Sequence, residues 1–347
     1  MAERLLIRAT KGGKTTKIVT LNGKKITKMP SGLEKLPGLN MLDLKNNLIS
    51  KVCPEISNLT QLTALNLGNN HLEEVPEELK YLKSLKKLHL FGNRIHRFAP
   101  GACDGLENLI LFNLNNNLLM CLPPEISRLK NLTHLSINYN QLTSIPRELS
   151  FLENLSELHL NYNQLICLPE EIKFLQNLQK LLLIRNNIKI LPEGLCALLN
   201  LRVLDIAGNI VQILPPGFQT LKLREFYCEG NPLLLRHPVK AVQQEDVWSL
   251  QEITSRFIMN HLGEKKGFLM QAIECYPQIR NIISQKKECA ICGKFFLTIW
   301  LECVQFVPPP KKWKISRNLQ LIPLRKLVCS YKCFNQHDSN LFGIAQV

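Results

Sequence analysis

Six of the twelve cysteines lie in the last 73 residues, and four of them form two closely spaced pairs. The first pair is Cys289 and Cys292, and the second is Cys329 and Cys333. Two pairs of thiols separated by 36 residues have the ligand number and spacing of a tetrahedral zinc site, with each pair on one turn. Because four thiolates leave no coordination position open, the spacing predicts zinc in a structural role.

Two alternatives to this ligand set stay open. The second pair has three residues between its cysteines, where two are usual, so Cys303 or His337 could replace one of the four. The cysteines could also be buried, reduced thiols in a small subdomain. The Cys-x-x-Cys-Gly sequence followed by a later pair is similar to treble-clef and related small zinc modules, which implies a knuckle for the first pair and a helix start for the second.

The elements that precede these cysteines are copies of one unit, Leu-x-x-Leu-x-Leu-x-x-Asn-x-Leu, which is clearest at Leu132–Leu142 and Leu155–Leu165. A fixed period of about 23 residues is typical of stacked repeats. The units begin at Thr16, Leu39, Leu62, Leu85, Leu109, Leu132, Leu155, Leu178, Leu201 and Leu223. The alternating leucines predict a short strand with one buried face. The asparagine at the ninth position predicts a side-chain amide that bonds to the turning backbone.

This pattern resembles the leucine-rich repeat family, and the second half of the unit, Leu-Pro-x-x-Leu-x-x-Leu, is similar to the intracellular Ras-suppressor, Scribble and Erbin group. The resemblance implies an α/β, right-handed solenoid of about ten repeats with a concave parallel sheet. One unit has 24 residues and replaces Leu-Pro-x-x-Leu by the longer segment 98–106. We expect a slight irregularity in the curve there.

The chain is predicted to have four parts. They are an N-terminal cap or tail (1–15), the solenoid (16–233), a helical C-terminal cap (234–285) and a cysteine-rich basic module (286–347). The cap is predicted because a solenoid end exposes its core and because apolar residues recur at helical spacing, namely Val239, Val242, Val247, Leu250, Ile253 and Phe257. A second helix is predicted over 266–275.

Positions 3, 5, 7 and 8 of each unit point away from the predicted core or lie at the rim of the strand face, so they form columns along the concave face. The middle of this face is neutral and rich in amides, with two tyrosines. Tyrosine gives a large contact area at low entropic cost, so we predict that this face binds a protein partner. The predicted contact residues are His89, Asn113, Asn115, Ser136, Asn138, Tyr139, His159, Asn161 and Tyr162.

The histidines of this face do not predict catalysis. His89 and His159 are three strands apart, or about 14 Å, and His134 is expected to have no acidic or thiol partner beside it. No catalytic residue and no organic-cofactor site is therefore predicted, and the expected cofactor is structural zinc alone.

The net charge of +15 is confined to the two flanks. Residues 1–30 hold eight lysines and arginines against one glutamate, residues 31–233 are balanced, and residues 234–347 hold 16 basic against eight acidic residues. No apolar run reaches the roughly 18 residues that span a bilayer, and the N-terminus has too short an apolar core for a secretory signal. We therefore expect an intracellular protein, in the cytoplasm or alternatively in the nucleus.

The sequence thus predicts a non-enzymatic, monomeric scaffold or adaptor that binds a protein on its concave face. One alternative is a nucleic-acid-binding protein that uses the basic flanks and the zinc module, because clustered lysines bind phosphates. A second alternative, implied by the family resemblance, is a substrate receptor of a ubiquitin ligase.

Overall fold

A computed structural model describes residues 4, 6, 16–99, 101–234, 249–261, 275–297, 301–315, 319–335 and 341–343. Within these ranges the repeats give twelve short strands. They are β1 (Ile18–Thr20), β2 (Met41–Asp43), β3 (Ala64–Asn66), β4 (Glu74–Val75), β5 (Lys87–His89), β6 (Arg97–Phe98), β7 (Leu111–Asn113), β8 (His134–Ser136), β9 (Glu157–His159), β10 (Lys180–Leu182), β11 (Val203–Asp205) and β12 (Glu225–Tyr227).

Ten of these strands, one from each repeat, form a parallel sheet in chain order. Strands β4 and β6 pair with each other in a separate two-stranded sheet. In each strand of the large sheet the central residue is buried and its neighbours are more exposed, as the alternation of leucines predicts. The predicted solenoid of ten repeats is confirmed.

The ninth-position asparagine is a repeated hydrogen-bonding device inside the stack. Asn140, for example, donates from Nδ2 to the carbonyl oxygens of Leu114 and Ile137 (3.0 and 3.3 Å). Its Oδ1 accepts the backbone N–H of Leu119 at 3.0 Å. These bonds join neighbouring repeats and satisfy buried backbone groups that have no strand partner, so the predicted role of the amide is confirmed.

Most repeats return through a short 3₁₀ helix on the side opposite the sheet. These helices are Ser31–Lys35, Pro54–Asn58, Glu77–Tyr81, Pro124–Arg128, Arg147–Phe151, Glu170–Phe174, Glu193–Ala197 and Phe218–Thr220. In the 24-residue unit, the described part of the returning segment forms turns instead. A Cβ at Gly105 there would lie 2.1 Å from the carbonyl oxygen of Lys80. Glycine is therefore required for the close approach of the two repeats.

The described elements after the repeats are three helices and six strands. They are α1 (Leu250–His261), α2 (Pro277–Ser284), β13 (Lys287–Glu288), β14 (Phe295–Phe296), β15 (Leu301–Val307), β16 (Lys314–Ile315), β17 (Ile322–Val328), α3 (Tyr331–Asn335) and β18 (Leu341–Gly343). No helix in the described ranges is long and apolar enough to cross a membrane.

The chain divides into two compact units, and each unit is made of segments that are not continuous in the sequence. The first, called the solenoid below, comprises Met1–Val211, Gly217–Pro232 and Pro310–Asn318. The second, called the C-terminal module, comprises Gln212–Pro216, Leu233–Pro309 and Leu319–Val347.

The last repeat of the solenoid is covered by the segment that contains Trp313. Strand β16 pairs in parallel with β12 as the eleventh strand of the sheet. The indole of Trp313 is 8% exposed and contacts Phe218 and Phe226 edge-on, with ring centroids 5.6 and 5.8 Å apart. Aromatic burial of this kind closes the apolar end that a solenoid would otherwise expose.

The helical cap predicted over 234–285 is described only in part. Residues 235–248 lie outside the described residues, and helix α1 packs against β14 of the C-terminal module. Of the second predicted helix only Cys275 is described, and it lies in a turn before α2. The helix predicted from the apolar spacing is thus present over Leu250–His261, and its role as a cap of the last repeat stays a prediction.

In the C-terminal module, β15 pairs antiparallel with both β17 and β18, and β13 pairs antiparallel with β14. The 212–216 segment also contacts β17, because the N–H of Leu214 donates to the carbonyl oxygen of Pro323 at 2.9 Å. The six buried residues of one cluster here are Cys289, Phe296, Cys303, Leu327, Val328 and Cys333.

Candidate functional site: the concave face and the cysteine cluster

Tyr139 and Tyr162 form a stacked pair on the concave side of the solenoid. Their rings lie 4.3 Å apart at an interplanar angle of 11°. The guanidinium of Arg185, in the next repeat, lies 5.6 Å from the ring centre of Tyr162. Tyr139 is 51% exposed, so this row, called the aromatic ladder below, presents a large solvent-facing aromatic surface.

The backbone of the aromatic ladder is in the left-handed region. The φ angles of Tyr139, Tyr162 and Arg185 are +55°, +55° and +51°. Most other repeats place asparagine or glycine at this eighth position, such as Asn116 and Gly208. Those residues adopt the conformation readily, whereas other side chains lose roughly 1–2 kcal/mol each. The ladder therefore carries bulky side chains where the fold favours small ones.

The asparagines at the seventh position have a structural task. Asn115 Oδ1 accepts the N–H of Asn138 at 2.7 Å, Asn138 Oδ1 accepts the N–H of Asn161 at 2.8 Å, and Asn161 Oδ1 accepts the N–H of Ile184 at 2.8 Å. We call Asn115, Asn138 and Asn161 the amide ladder. Each acceptor oxygen satisfies a backbone donor in the following repeat, so these oxygens are already engaged within the chain.

The fifth-position residue explains why the amide ladder occurs in these repeats. The side chains of Asn113 and Asp205 each accept the backbone N–H of the residue two positions later in the chain, at 3.0 Å in both cases. Ser136, His159 and Leu182 occupy the fifth position in the repeats that the ladder serves. In these repeats the seventh-position amide of the preceding repeat accepts the backbone N–H instead. Ser136 itself donates to Asn115 Oδ1 at 2.8 Å.

A carboxylate lies between two histidines of this face. Glu157 Oε2 is 3.1 Å from His159 Nε2, and Glu157 Oε1 is 3.6 Å from His134 Nε2. The expectation that His134 has no acidic partner is wrong, because the parallel register places Glu157 directly beside it. Burial lowers the pKa of His159, and Lys180 adds to this effect, while Glu157 opposes it. His89 packs edge-on against Phe91 at 6.3 Å, and burial lowers its pKa.

The four paired cysteines meet at one point of the C-terminal module. The sulfur atoms of Cys289, Cys292, Cys329 and Cys333 all lie within 4.8 Å of one another, and this cluster could hold a metal ion. The Sγ atom of Cys329 lies 3.6 Å from that of Cys292 and 3.5 Å from that of Cys333. Thiolates on a tetrahedral zinc are about 3.8 Å apart, given Zn–S bonds of about 2.3 Å.

The local backbone holds each pair as the resemblance to small zinc modules implies. Gly293 has φ +68° and donates its N–H to the carbonyl oxygen of Cys289 at 3.0 Å, which closes the turn that carries the first pair. Cys329 precedes helix α3 and Cys333 lies within it. The hydroxyl oxygen of Ser330 accepts the N–H of Cys333 at 3.4 Å.

Helix α1 is attached to the backbone around this cluster by three side chains spaced four residues apart. Asn260 accepts the N–H of Phe295 at 2.8 Å and donates to its carbonyl oxygen at 3.1 Å. Arg256 donates to the carbonyl oxygen of Cys329 at 3.0 Å. Glu252 accepts the N–H of Leu297 at 3.1 Å and pairs with Arg256 at 2.6 Å.

Within the cluster, the thiol of Cys289 differs from that of the neighbouring Cys303, whereas burial raises the pKa of Cys329 to about 12 and also raises that of Cys333. Burial alone would raise the pKa of Cys289, but the N–H groups of Cys292, Ile291 and Cys329 lower it to about 7. Burial raises the pKa of Cys303 to about 12, with Glu302 adding to the effect. Cys303 is thus a neutral thiol in the apolar cluster, while the other alternative ligand, His337, lies outside the described residues.

Comparison with known proteins assigns the family. A profile described as Leucine rich repeat matches residues 14–72, 37–95 and 60–119, and a second profile of the same description matches 131–152. The chain is 77% identical over 347 residues to leucine-rich repeat-containing protein 69 of Homo sapiens, with all of both chains covered. The chain belongs to the leucine-rich repeat family. The corresponding Xenopus laevis protein is 62% identical, with 99% of each chain covered.

A solved leucine-rich repeat structure agrees with the solenoid. It is a protein of Leptospira interrogans that is 35% identical, with a TM-score of 0.61, and the match covers 64% of this chain and 56% of that one. The segments matched by the leucine-rich repeat profiles all precede the cysteine cluster. The family assignment therefore accounts for the solenoid, and the cluster must be interpreted from its own geometry.

The sequence analysis did not predict the roles of two residues on the concave face, Glu157 and Arg185. Glu157 could have been found by aligning third-position residues across neighbouring strands, since its partner His134 lies in the same column. Arg185 follows Tyr139 and Tyr162 in the eighth-position column. Its stacking on Tyr162 depends on the side-chain conformation, which the column alone does not give.

Proposed function

We propose that this protein is a non-enzymatic scaffold or adaptor that binds a protein partner on the concave face of its solenoid. Leucine-rich repeat proteins generally mediate protein–protein interactions, which supports the class of function. The single observation that carries the choice of surface is the aromatic ladder, an exposed stack held in a strained backbone conformation. Strain that neighbouring repeats avoid is a mark of functional positions.

The aromatic ladder forms the centre of the proposed contact, and the other predicted residues form its surroundings. Tyr139 and Tyr162 offer flat, amphipathic rings, and Arg185 adds a charge that can pair with a carboxylate of the partner. Among the remaining predicted residues, Asn115, Asn138 and Asn161 contribute chiefly by holding the face in shape. His89, Asn113, Ser136 and His159 complete the surface along the strands.

The proposal is tested by affinity capture with the intact protein and two double variants. Tyr139→Ala with Tyr162→Ala should remove the partners captured by the unchanged protein. Phe151→Ala with Phe174→Ala is a matched control, because these two phenyl rings are also exposed and stacked, at 6.1 Å, but lie on the 3₁₀ helices opposite the sheet. The captured partner is then purified and its affinity for each variant is measured.

Equal capture by the tyrosine variant and the unchanged protein would remove the concave face from consideration. Loss with the phenylalanine variant alone would move the contact to the opposite side of the solenoid. In both cases a circular dichroism melt must show that the variant is folded.

We also propose that Cys289, Cys292, Cys329 and Cys333 hold one structural zinc ion. Four thiol donors with sulfur separations near those of a tetrahedral site are the donor set that zinc prefers. Bound zinc would supply cross-linking between the knuckle and helix α3, while Arg256 and Asn260 orient the backbone that carries the ligands. The full donor set leaves no position for a substrate, so the ion's role is stability.

Metal analysis of fully reduced protein, purified without chelator, tests this proposal. We expect one zinc per chain in the unchanged protein and in Cys121→Ser, which alters an exposed cysteine of the solenoid. Cys289→Ser with Cys333→Ser should lose the zinc. Reduced, folded protein without zinc would contradict the proposal.

A further inference from the structure

A basic cleft lies between the first two repeats, on the segments that follow their strands. It encloses about 810 Å³ and is lined mainly by residues 25–31 and 50–55, together with Arg4. This volume lies in the range of small-molecule sites, about 300–1,000 Å³. Its lining shares no residue with the aromatic ladder or the cysteine cluster.

Four cationic side chains line the cleft, namely Arg4, Lys25, Lys28 and Lys51, and the one acidic lining residue is Glu55. Within the described ranges none of these four cations forms an ion pair with a carboxylate. Countercharge is scarce in this part of the sequence as well, because Glu3 is the sole acidic residue in the first thirty.

The repeat register shows that this arrangement is particular to the first two repeats. Lys28 and Lys51 occupy the same position in neighbouring repeats, 23 residues apart. The next two residues in that column are Glu74 and Arg97, which lie opposite each other in β4 and β6 and pair at 2.8 Å. Like charges placed side by side repel, so the fold itself gains nothing from a second lysine.

We infer that this cleft binds a small anion that carries several phosphate groups. The ammonium of lysine is a compact charge with three donors, which suits phosphate oxygens. Thr27 and Ser50 add hydroxyl donors to the same lining. Three or four unpaired cations match the charge of a triphosphate or of a polyphosphorylated head group. The inference is independent of the proposed concave-face and zinc functions.

Isothermal titration of the full-length protein with inorganic tripolyphosphate, at about 150 mM salt so that weak surface attraction is screened, provides the test. We expect saturable binding with one site per chain. Lys28→Gln with Lys51→Gln should weaken it by about tenfold or more, since two of the charges next to the anion are removed. Lys83→Gln with Lys86→Gln removes the same charge from exposed positions outside the cleft and should leave the affinity unchanged.

A third variant guards against an effect on folding. Lys28→Glu creates beside Lys51 the kind of opposite-charge pair that Glu74 and Arg97 form. We expect it to abolish binding while the melting temperature stays the same or rises. Loss of binding in a variant that still melts cooperatively therefore identifies the charges, and not the fold, as the cause.

Two further arms distinguish the source of the phosphates. Flotation with vesicles that contain a phosphoinositide tests a lipid head group, and binding there with competition by tripolyphosphate would assign the membrane source. Binding of tripolyphosphate without vesicle binding would assign a soluble ligand.

Three results would overturn the inference. They are absence of tripolyphosphate binding by the folded protein, equal binding by the cleft variant and the unchanged protein, and binding of single-stranded RNA with none of tripolyphosphate. The last result would mean that the basic surface recognises a polymer and not a small anion.

Discussion

The solenoid repeats one buried leucine pattern through ten stacked units, whereas the cysteine site of the C-terminal module packs in a cluster of six buried residues, three of which are cysteines. The repeats of the solenoid are supported by their neighbours, and eight of the ten contain a buried ninth-position asparagine. Around the cysteine site of the module, side chains of helix α1 bond to the backbone, and four thiols meet at a point that could hold a metal ion. Small cores need such additional links because they bury too little apolar area on their own.

The two units differ in whether the residues that stabilise the fold are the same as the chemically distinctive ones. In the solenoid the leucines and ninth-position asparagines maintain the fold, so the outward columns are free to carry residues for binding. In the C-terminal module the proposed zinc ligands would themselves be a source of stability. Five predictions, in order of decreasing effect, test this contrast.

The largest effect is expected for Cys289→Ser. If zinc holds the module, loss of one ligand removes much of the metal's contribution to folding, which is about 10 kcal/mol or more for small structural sites. We expect hydrogen exchange to become fast in β13, β14, β15, β17 and β18 of the module and to stay slow in β2–β11 of the solenoid. If hydrogen exchange in the module is equally slow in Cys289→Ser and in the unchanged protein, the predicted difference between the two units is wrong.

A smaller but still large effect is expected for Asn163→Ala in the solenoid. Asn163 donates to the carbonyl oxygens of Ile137 and Leu160 and accepts the N–H of Leu142. The variant leaves these buried groups unpaired, so the free energy of unfolding should fall by about 3 kcal/mol. Asn154→Ala, in which an exposed amide loses one bond to Lys130, should cost under about 1 kcal/mol. Chemical denaturation measures both.

Asn260→Ala is the corresponding change in the C-terminal module. It removes the two bonds that attach α1 to the backbone of Phe295, and the expected loss is about 2 kcal/mol. If α1 supports the cysteine site, a zinc chelator should also extract the metal faster from this variant. Unchanged extraction, with a lowered melting temperature, would show that α1 stabilises the module without influencing the site.

The aromatic ladder should respond differently to glycine and alanine. Both Tyr139→Gly and Tyr139→Ala lose the stack on Tyr162, but only glycine relieves the left-handed backbone. The glycine variant should therefore be more stable than the alanine variant by about 1 kcal/mol, while both lose partner capture. Equal stability of the two variants would contradict strain at this position.

The smallest effect is a pH dependence from His159. Burial lowers the pKa of this group in the folded protein, so the folded state binds protons less readily than the unfolded chain. Its contribution to stability is present above the unfolded pKa of about 6.5 and is lost as the pH falls through that value toward the lower folded pKa. His159→Gln should flatten the stability profile in this window, whereas His96→Gln, an exposed control, should not.

The sequence predicted the parts of the molecule that repeat. Ten strands, the asparagine network and the face that carries Tyr139 and Tyr162 all follow from a column of equivalent residues, because each unit has the same environment as the next. It also predicted the four cysteines that meet, since two closely spaced pairs of thiols are typical of a metal site. It could not predict the role of Trp313, which depends on contacts with Phe218 and Phe226 outside the repeat period.

By itself, then, the sequence determined the family, the outward and inward positions of each repeat, and the grouping of Cys289, Cys292, Cys329 and Cys333. Only the tertiary structure decided that Trp313 covers the last repeat and that α1 packs in the C-terminal module. The physical reason is that periodic patterns report local and nearest-neighbour packing. Pairing between segments far apart in the chain depends on shape and hydrogen-bond geometry that no short pattern encodes.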